Sequence, residues 1–168
     1  MRLVPFALAS IVLAGFAIIT QAASNEGIIS FGGLDRLGYS IDGGGVGQVD
    51  SYTLNISSEN LKNLKGETLS VIKITSADGR YDGVFDLGSV SVNVQGKPVP
   101  LEAVTPVEGR AGMQITLGSK IPASSNVEIK ISNVKNPTSV GEFKFDAHVV
   151  GVGKPLRHYV GNWVLLFE

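Results

Sequence analysis

Three aspartates recur at intervals of four residues in a glycine-rich stretch of the sequence. They are Asp78, Asp82 and Asp86, and Gly79 and Gly83 lie between them. Calcium takes about six to eight oxygen ligands in flexible sites, so carboxylates on such a loop form a candidate calcium site. The EF-hand spacing is absent, and aspartate also forms turns by bonding to nearby backbone amides. Turn formation is therefore the favoured interpretation, with calcium binding as the alternative.

The other residue types that perform chemistry show no recognisable arrangement. The histidines are His148 and His158, and the chain has no cysteine. A zinc site would therefore need carboxylates for most of its ligands. Serines are numerous, but the G-x-S-x-G nucleophile elbow is missing. We predict no catalytic residues and no cofactor. The alternative is a hydrolase whose site is assembled from residues distant in sequence.

Two further features have both a binding and a structural interpretation. Residues 43–47 contain four glycines, but a strand pattern follows them and no Lys-Ser/Thr pair is present. A phosphate loop needs a helix after it, so we predict a flexible loop. Tyr39, Tyr81 and Tyr159 would form a sugar-stacking surface if they lay together. Tyrosine is also common in half-buried positions of β-proteins, which is the simpler interpretation.

The N-terminus has the layout of a secretory signal peptide. Arg2 precedes an uncharged apolar run at residues 3–19, and Thr20-Gln21-Ala22 supplies small residues for cleavage. We predict a signal peptide at 1–23, an extension with the glycine-rich loop at 24–48, and one domain at 49–168. An uncleaved membrane anchor is the alternative, because about 17 apolar residues are just enough to cross a bilayer.

Composition narrows the function classes further. The formal charge is −1, with both signs interspersed and no cluster of Lys and Arg. A nucleic-acid-binding protein usually has a basic patch, so this class is set aside. Export without any cysteine fits a bacterial cell envelope better than a eukaryotic secretory route.

Short strand patterns with frequent turn signals fill the rest of the chain. This pattern is typical of an antiparallel β-sandwich or barrel. We predict an all-β, immunoglobulin-like sandwich of two antiparallel sheets, with about seven to nine strands and little helix. A single helical turn within residues 58–65 is the exception. The main strand candidates are 49–57, 68–75, 84–87, 90–94, 113–117, 127–131, 142–149 and 160–167.

Complementary charges suggest how two of these strands pair. Lys130 would lie opposite Glu142, and Glu128 opposite Lys144, if strands 127–131 and 142–149 were antiparallel neighbours. Each opposite-charge pair contributes about 0.2–1 kcal/mol. The linker at 132–140 is long for a hairpin, so a crossover to the other sheet is the alternative.

The last strand differs from the others because both of its faces are apolar. Trp163, Leu165 and Phe167 occupy one face, and Val164 and Leu166 the other. This pattern predicts burial on both sides. Either the segment at 28–37 folds across this strand, or a partner does. Val164 and Leu166 are therefore our candidate partner surface.

Several motifs follow one another in a recognisable order along the chain. They are Tyr52-Thr53-Leu54, Leu69 with Val71-Ile72 and Ile74, Asn136-Pro137, Gly141-Glu142-Phe143-Lys144-Phe145, the run at 149–153 and Tyr159-Val160-Gly161. In this order they resemble the cyanobacterial family known as domain of unknown function 2808, over roughly Val49 to Phe167. The resemblance implies an exported protein with one β-rich domain, and it implies no activity and no catalytic residues. The loop at 43–47 and the segment at 27–37 are not features that we associate with that family.

Together these observations predict an exported, non-enzymatic module that contacts another protein or the cell envelope. The expected locations are the periplasm, the thylakoid lumen or the extracellular space. The partner would be another envelope protein, and only the signal segment, if uncleaved, would contact a membrane. The alternative function is a small-ligand or calcium-binding exported domain.

Overall fold

The computed structural model describes residues 35–64, 66–77, 79–152 and 156–168. The predicted signal peptide and residues 28–34 of the segment at 28–37 lie outside these residues. Ten strands make up nearly all of the regular structure, so the prediction of an all-β fold is confirmed. The strands are β1 (Tyr39–Ile41), β2 (Val49–Ile56), β3 (Thr68–Ser76), β4 (Val90–Val94), β5 (Lys97–Val99), β6 (Leu101–Pro106), β7 (Gly112–Pro122), β8 (Val127–Lys135), β9 (Gly141–Gly151) and β10 (Arg157–Phe167).

The strands form two antiparallel sheets of five strands each, which confirms the predicted sandwich. One sheet has the order β1-β2-β8-β4-β5, and we call it the β8 sheet. The other has the order β10-β9-β3-β7-β6, and we call it the β9 sheet. The lower end of the sandwich is the end where β2 and β9 begin and where β8 and β10 finish, at Val49, Gly141, Lys135 and Phe167.

Alternating residues of both sheets build one core. Tyr52, Leu54 and Ile56 of β2 are buried, as the alternation predicts. Trp163 of β10 is fully buried, and its indole N–H donates to the carbonyl of Gly38 at 3.2 Å. An aromatic cluster near the lower end has ring centroids 4.9–6.3 Å apart, spacings at which aromatic pairs add about 0.5–1.5 kcal/mol each. Its members are Tyr52, Tyr81, Phe85, Phe143, Phe145 and Phe167.

The predicted pairing of β8 with β9 is wrong, because these strands lie in different sheets. β8 pairs with β2 and β4, whereas β9 pairs with β10 and β3. Glu142 and Lys144 face Leu166 and Val164 across the β9–β10 pair instead of residues of β8. Residues 136–140 form the crossover that was the alternative. Surface charge pairs are too weak to choose a neighbour when burial of several large apolar side chains favours another arrangement.

Two smaller predictions need correction. The helical turn is a 3-10 helix at Lys62–Leu64, and Leu64 is buried as predicted. The strand candidate at 84–87 is not a strand, since Val84 makes only an isolated bridge to Lys135. A second 3-10 helix at Leu87–Ser89 follows it, because the Asp86 carboxylate accepts from the Gly88 amide and caps this turn.

Candidate functional site

A buried polar network at the lower end is centred on Asn136, which is only 1% exposed. Its Oδ1 accepts from the Tyr52 hydroxyl at 2.7 Å, and its Nδ2 donates to the Gly45 carbonyl at 2.7 Å and to Asp50 Oδ2 at 2.5 Å. The Tyr52 and Tyr81 hydroxyls lie 3.1 Å apart. Because Tyr52 donates to Asn136, Tyr81 is the donor in this second bond. The Asn-Pro motif in the sequence marked this position but not its partners.

The two tyrosines of this network are neutral over the whole physiological pH range. Burial raises the pKa of Tyr52 far above its ordinary value. Burial also raises the pKa of Tyr81 to about 12, although its hydrogen bond with Tyr52 acts in the opposite direction. Neutral hydroxyls held in this way connect strands and supply no proton or nucleophile at pH 7. The network therefore has a structural role, which is to fasten the crossover at Asn136 to β2.

The glycine-rich loop is part of the same assembly. Its φ angles of 92° at Gly43 and 78° at Gly44 lie in the region that favours glycine. The Gly44 amide donates to Asp50 Oδ2 at 2.9 Å, and the Gly47 amide donates to the Pro137 carbonyl at 2.8 Å. The predicted loop is therefore present, and it is tied to the crossover; its flexibility stays a prediction. Hydrogen bonds of Gly44, Gly45, Val46 and Gly47 hold this segment to other parts of the chain.

The aspartates of the calcium candidate have separate structural partners. Asp82 accepts hydrogen bonds from the amide of Thr138 at 3.0 Å and from its hydroxyl, and these bonds hold the pKa of the Asp82 carboxyl below its usual range. Asp86 caps the 3-10 helix and accepts from Asn133 Nδ2 at 3.3 Å. No group of three potential metal ligands occurs among the residues that the structure describes. Asp78 lies outside them, so calcium binding by the trio stays a prediction.

His148 and the exposed Tyr159 are register partners on the outer face of the β9 sheet, whereas His158 is the register partner of the buried Val149 and lies on the inner face. His148 is half-buried, and its ring lies 5.6 Å from the Tyr159 ring. Tyr81 is buried in the core, so the three tyrosines do not form one sugar-stacking surface. The Tyr39 hydroxyl accepts from the Leu166 amide at 3.2 Å, which places it at the opposite end of β10 from Tyr159.

The candidate partner surface lies on β10, which is an edge strand. Leu166 is 39% exposed and Val164 is half-buried, so burial on both faces is not observed within the described chain. The edge itself is partly covered by the chain that enters the domain. The Asn162 amide donates to the Asp35 carbonyl at 2.7 Å, and the Leu37 amide donates to the Asn162 carbonyl at 2.8 Å. The Asn162 amide and carbonyl on this edge are therefore already bonded, and β10 presents a partner with side chains.

Three exposed valines share the lower end with Leu166. Val49 and Val84 are 64% and 60% exposed, and both are register partners of Lys135 on the outer face of the β8 sheet. Val140 is 70% exposed and directly precedes Gly141, which is the register partner of Phe167. Alternation alone did not identify these residues as a group, because they come from three separate segments of the chain.

A groove of about 470 Å³ lies on the outer face of the β8 sheet at the opposite, upper end. Carboxamide side chains dominate its lining, and two of them are already engaged in hydrogen bonds. Asn93 Nδ2 donates to Glu128 Oε1 at 3.0 Å, and Asn126 Oδ1 accepts from the Ser58 amide at 2.8 Å. The groove also contains the Glu128 carboxylate and the Ser57 hydroxyl, which are a potential base and a potential nucleophile. They do not bond to each other, because the Ser57 hydroxyl donates to Asn60 Oδ1 at 2.5 Å and Glu128 accepts from Asn93.

The sequence matches one family profile, and the description of that family gives no activity. The profile of the family described as "Protein of unknown function (DUF2808)" matches residues 28–167. No curated protein sequence matches the chain. No helix in the described part of the chain has the length and apolar character needed to cross a membrane.

Solved structures with a similar fold share little sequence with this chain. BslA, described as a bacterial hydrophobin, has a TM-score of 0.50 at 13% identity, covering 83% of this chain and 97% of its own. The collagen adhesin from S. aureus has a TM-score of 0.44 at 14% identity, covering 72% of this chain and 45% of its own. The major pilin subunit BcpA of Bacillus cereus has a TM-score of 0.43 at 13% identity, and the match covers 73% of this chain and 35% of the BcpA chain. At 13% identity, the similarity to BslA shows the fold alone.

Proposed function

Since this chain belongs to the DUF2808 family, whose function is not known, we propose its role from its own surface. It is an exported, non-enzymatic sandwich domain that binds another protein or component of the cell envelope through its lower end. The observation that carries this proposal is the set of exposed apolar side chains at that end. They are Val49, Val84, Val140 and Leu166.

Burial of these side chains gives a partner its binding energy. Moving one exposed Val or Leu side chain fully out of water contributes about 1.5–3 kcal/mol. Single exposed apolar residues are ordinary on a protein surface, but several at one end mark a contact surface. Val164 extends the surface along β10, as the sequence predicted for the partner-binding strand.

The sheet edges favour side-chain contacts over the addition of a partner strand. Pro100 and Pro106 stand at the two ends of β6, which is one outer strand of the β9 sheet. Pro98 lies in β5, which is one outer strand of the β8 sheet, and β1 is the other. Proline lacks an amide proton and so obstructs strand addition at an edge. The edge of β10 is bonded to the chain at Asp35 and Leu37. A partner therefore docks on faces and loops of the lower end.

Export is supported by the signal-peptide pattern at residues 1–23, and the absence of cysteine fits a bacterial cell envelope better than a eukaryotic secretory route. These features suit the periplasm, the thylakoid lumen or the extracellular space. The partner is accordingly an envelope protein or another envelope component.

Matched variants at the two ends of the sandwich test the proposal. Val140→Ser with Leu166→Ser removes apolar surface from the lower end. Val152→Ser with Leu156→Ser is the control, because these residues are 41% and 64% exposed at the upper end. Tagged full-length protein is incubated with washed envelope fractions, and the retained amount is measured. The lower-end variant is expected to lose retention while the control keeps it. Equal retention of both would refute the lower end as the contact surface.

A further inference from the structure

A second groove, of about 290 Å³, lies on the outer face of the β9 sheet, away from the apolar lower end. Lys73 and Thr75 of β3 and His148 of β9 contribute to it from the sheet itself. Loop residues after β6 and the first residue of β10 complete it. The full lining is Lys73, Thr75, Val107, Glu108, Arg110, Asp146, His148 and Arg157.

Three permanent cations converge on this groove without a carboxylate partner. Within the described part of the chain, Lys73, Arg110 and Arg157 form no ion pair at 4.0 Å or less. Arg110 donates a long hydrogen bond from its guanidinium group to the Ser76 carbonyl, at 3.5 Å. Like charges brought together cost energy unless an anion lies between them. The protein as a whole carries a formal charge of −1, so this local excess of cations is not a general property of its surface.

The carboxylates in the groove do not neutralise these cations. Asp146 already has Lys144 as a partner, at 3.9 Å. Glu108 stands on the exposed loop before β7. The hydroxyl of Thr75 is buried and has no hydrogen-bond partner among the described residues, which is unusual for a buried polar atom. The groove therefore offers cations together with free hydrogen-bonding oxygens.

We propose that this groove binds an acidic polysaccharide whose sugar residues carry carboxylate groups. Lys73, Arg110 and Arg157 would bind the carboxylates through charge-assisted hydrogen bonds. Glu108 and Asp146 would accept hydrogen bonds from sugar hydroxyls, which are the other groups that such a polymer presents. This site is separate from the lower-end contact surface and does not depend on it.

The mixed charge of the groove favours a sugar polymer over an anionic membrane. A bilayer surface rich in phosphate would attract the cations but repel Glu108 and Asp146 in the same recess. The cations also line a recess, whereas a flat bilayer contacts side chains that protrude. Tyr159 lies beside His148 at one side of the groove, and its exposed ring offers a flat apolar face to a sugar ring.

His148 makes the binding depend on pH. Burial lowers its pKa, Asp146 on the same strand raises it, and Lys73 on β3 and Arg157 on β10 lower it further. Its other neighbour is the ring of Tyr159 on β10. His148 is therefore neutral at pH 7 and becomes a fourth cation on acidification. We expect tighter binding of the polymer below pH 6, and His148→Gln should remove this gain without abolishing binding at pH 7.

Titration calorimetry of the full-length protein with oligogalacturonate tests the proposal, with uncharged dextran as the comparison ligand. Lys73→Gln with Arg157→Gln should weaken oligogalacturonate binding about tenfold, since partly exposed cations contribute modestly each. Lys97→Gln with Lys130→Gln removes the same charge from the β8 sheet and should change affinity by less than about twofold. All four positions are at least half exposed or lie on an outer face, and thermal melting of each variant confirms folding.

Several outcomes would overturn the inference. Equal affinity for oligogalacturonate and dextran would show that the cations do not recognise carboxylates. An equal loss in both double variants would show general attraction to a polyanion. Binding to vesicles of phosphatidylglycerol and phosphatidylcholine in preference to oligogalacturonate would identify a membrane as the occupant. The lower-end variant could lose envelope retention while its calorimetry stays unchanged. That result would concern only the proposed function and would leave this inference standing.

Discussion

Asn136 offers the sharpest test of how the lower end is held together. Asn136→Ala removes three hydrogen bonds and leaves the Tyr52 hydroxyl, which is fully buried, without its acceptor. An unsatisfied buried donor costs about 1–3 kcal/mol. The lost bonds to Gly45 and Asp50 lie where water can reach them, so together they cost about 1 kcal/mol more. The expected loss of unfolding free energy is therefore about 2–4 kcal/mol.

Urea denaturation followed by Trp163 fluorescence measures this loss, with two-state behaviour checked by a second probe. Asn63→Ala is the control because Asn63 is exposed, and it should change stability by less than about 0.5 kcal/mol. In a double-mutant cycle, Tyr52→Phe and Asn136→Ala should couple by about 1–2 kcal/mol, because each removes the other's partner. A loss below about 1 kcal/mol for Asn136→Ala, or additive effects in the cycle, would refute the proposed network.

Three further predictions concern single residues. Gly112→Ala should lower stability by more than about 2 kcal/mol, because φ is 148° at Gly112 and the added Cβ would lie 2.2 Å from the Ile74 carbonyl oxygen. Gly109→Ala is the control in the same urea assay and should cost about 1 kcal/mol, because the space around Gly109 is open. Tyrosinate absorbance should show three native tyrosines that resist ionisation at pH 10, because burial raises the pKa of Tyr39, Tyr52 and Tyr81. Since their folded pKa values are raised, stability should fall as pH rises past the unfolded value of about 10, less steeply in Tyr52→Phe. Burial lowers the pKa of His148, so the imidazole binds a proton more tightly in the unfolded state, and stability should fall as pH drops through about 6.5. His148→Gln should therefore show a smaller difference in melting temperature between pH 7 and pH 5. An unchanged difference would contradict this prediction.

The alternation of residue types was enough to assign faces to the strands. Ile129 of β8 and Phe143 of β9 are buried, and Lys130 and Lys144 are exposed, as the period of two requires. The same alternation, with its many short strands and turns, indicated an all-β sandwich. Local turn chemistry was also readable, since Gln95 and Gly96 adopt positive φ angles between β4 and β5.

Alternation does not identify which strands are neighbours, because it reports only the face on which a side chain lies. β8 and β9 would have buried the same residues in one sheet or in two, and their charges favoured the wrong arrangement by a small energy. The crossover and the packing of β9 between β10 and β3 decided the outcome.

Both binding surfaces proposed here depend on that tertiary arrangement. Lys73, Arg110 and Arg157 are far apart in the sequence and meet only because β3, the loop before β7 and β10 adjoin one face of the β9 sheet. The strand faces and the all-β class followed from local composition and periodicity, and the signal segment at 1–23 is a prediction from the same local pattern. The groove, the Asn136 network and the apolar lower end required long-range contacts, which a local pattern of residue types does not encode.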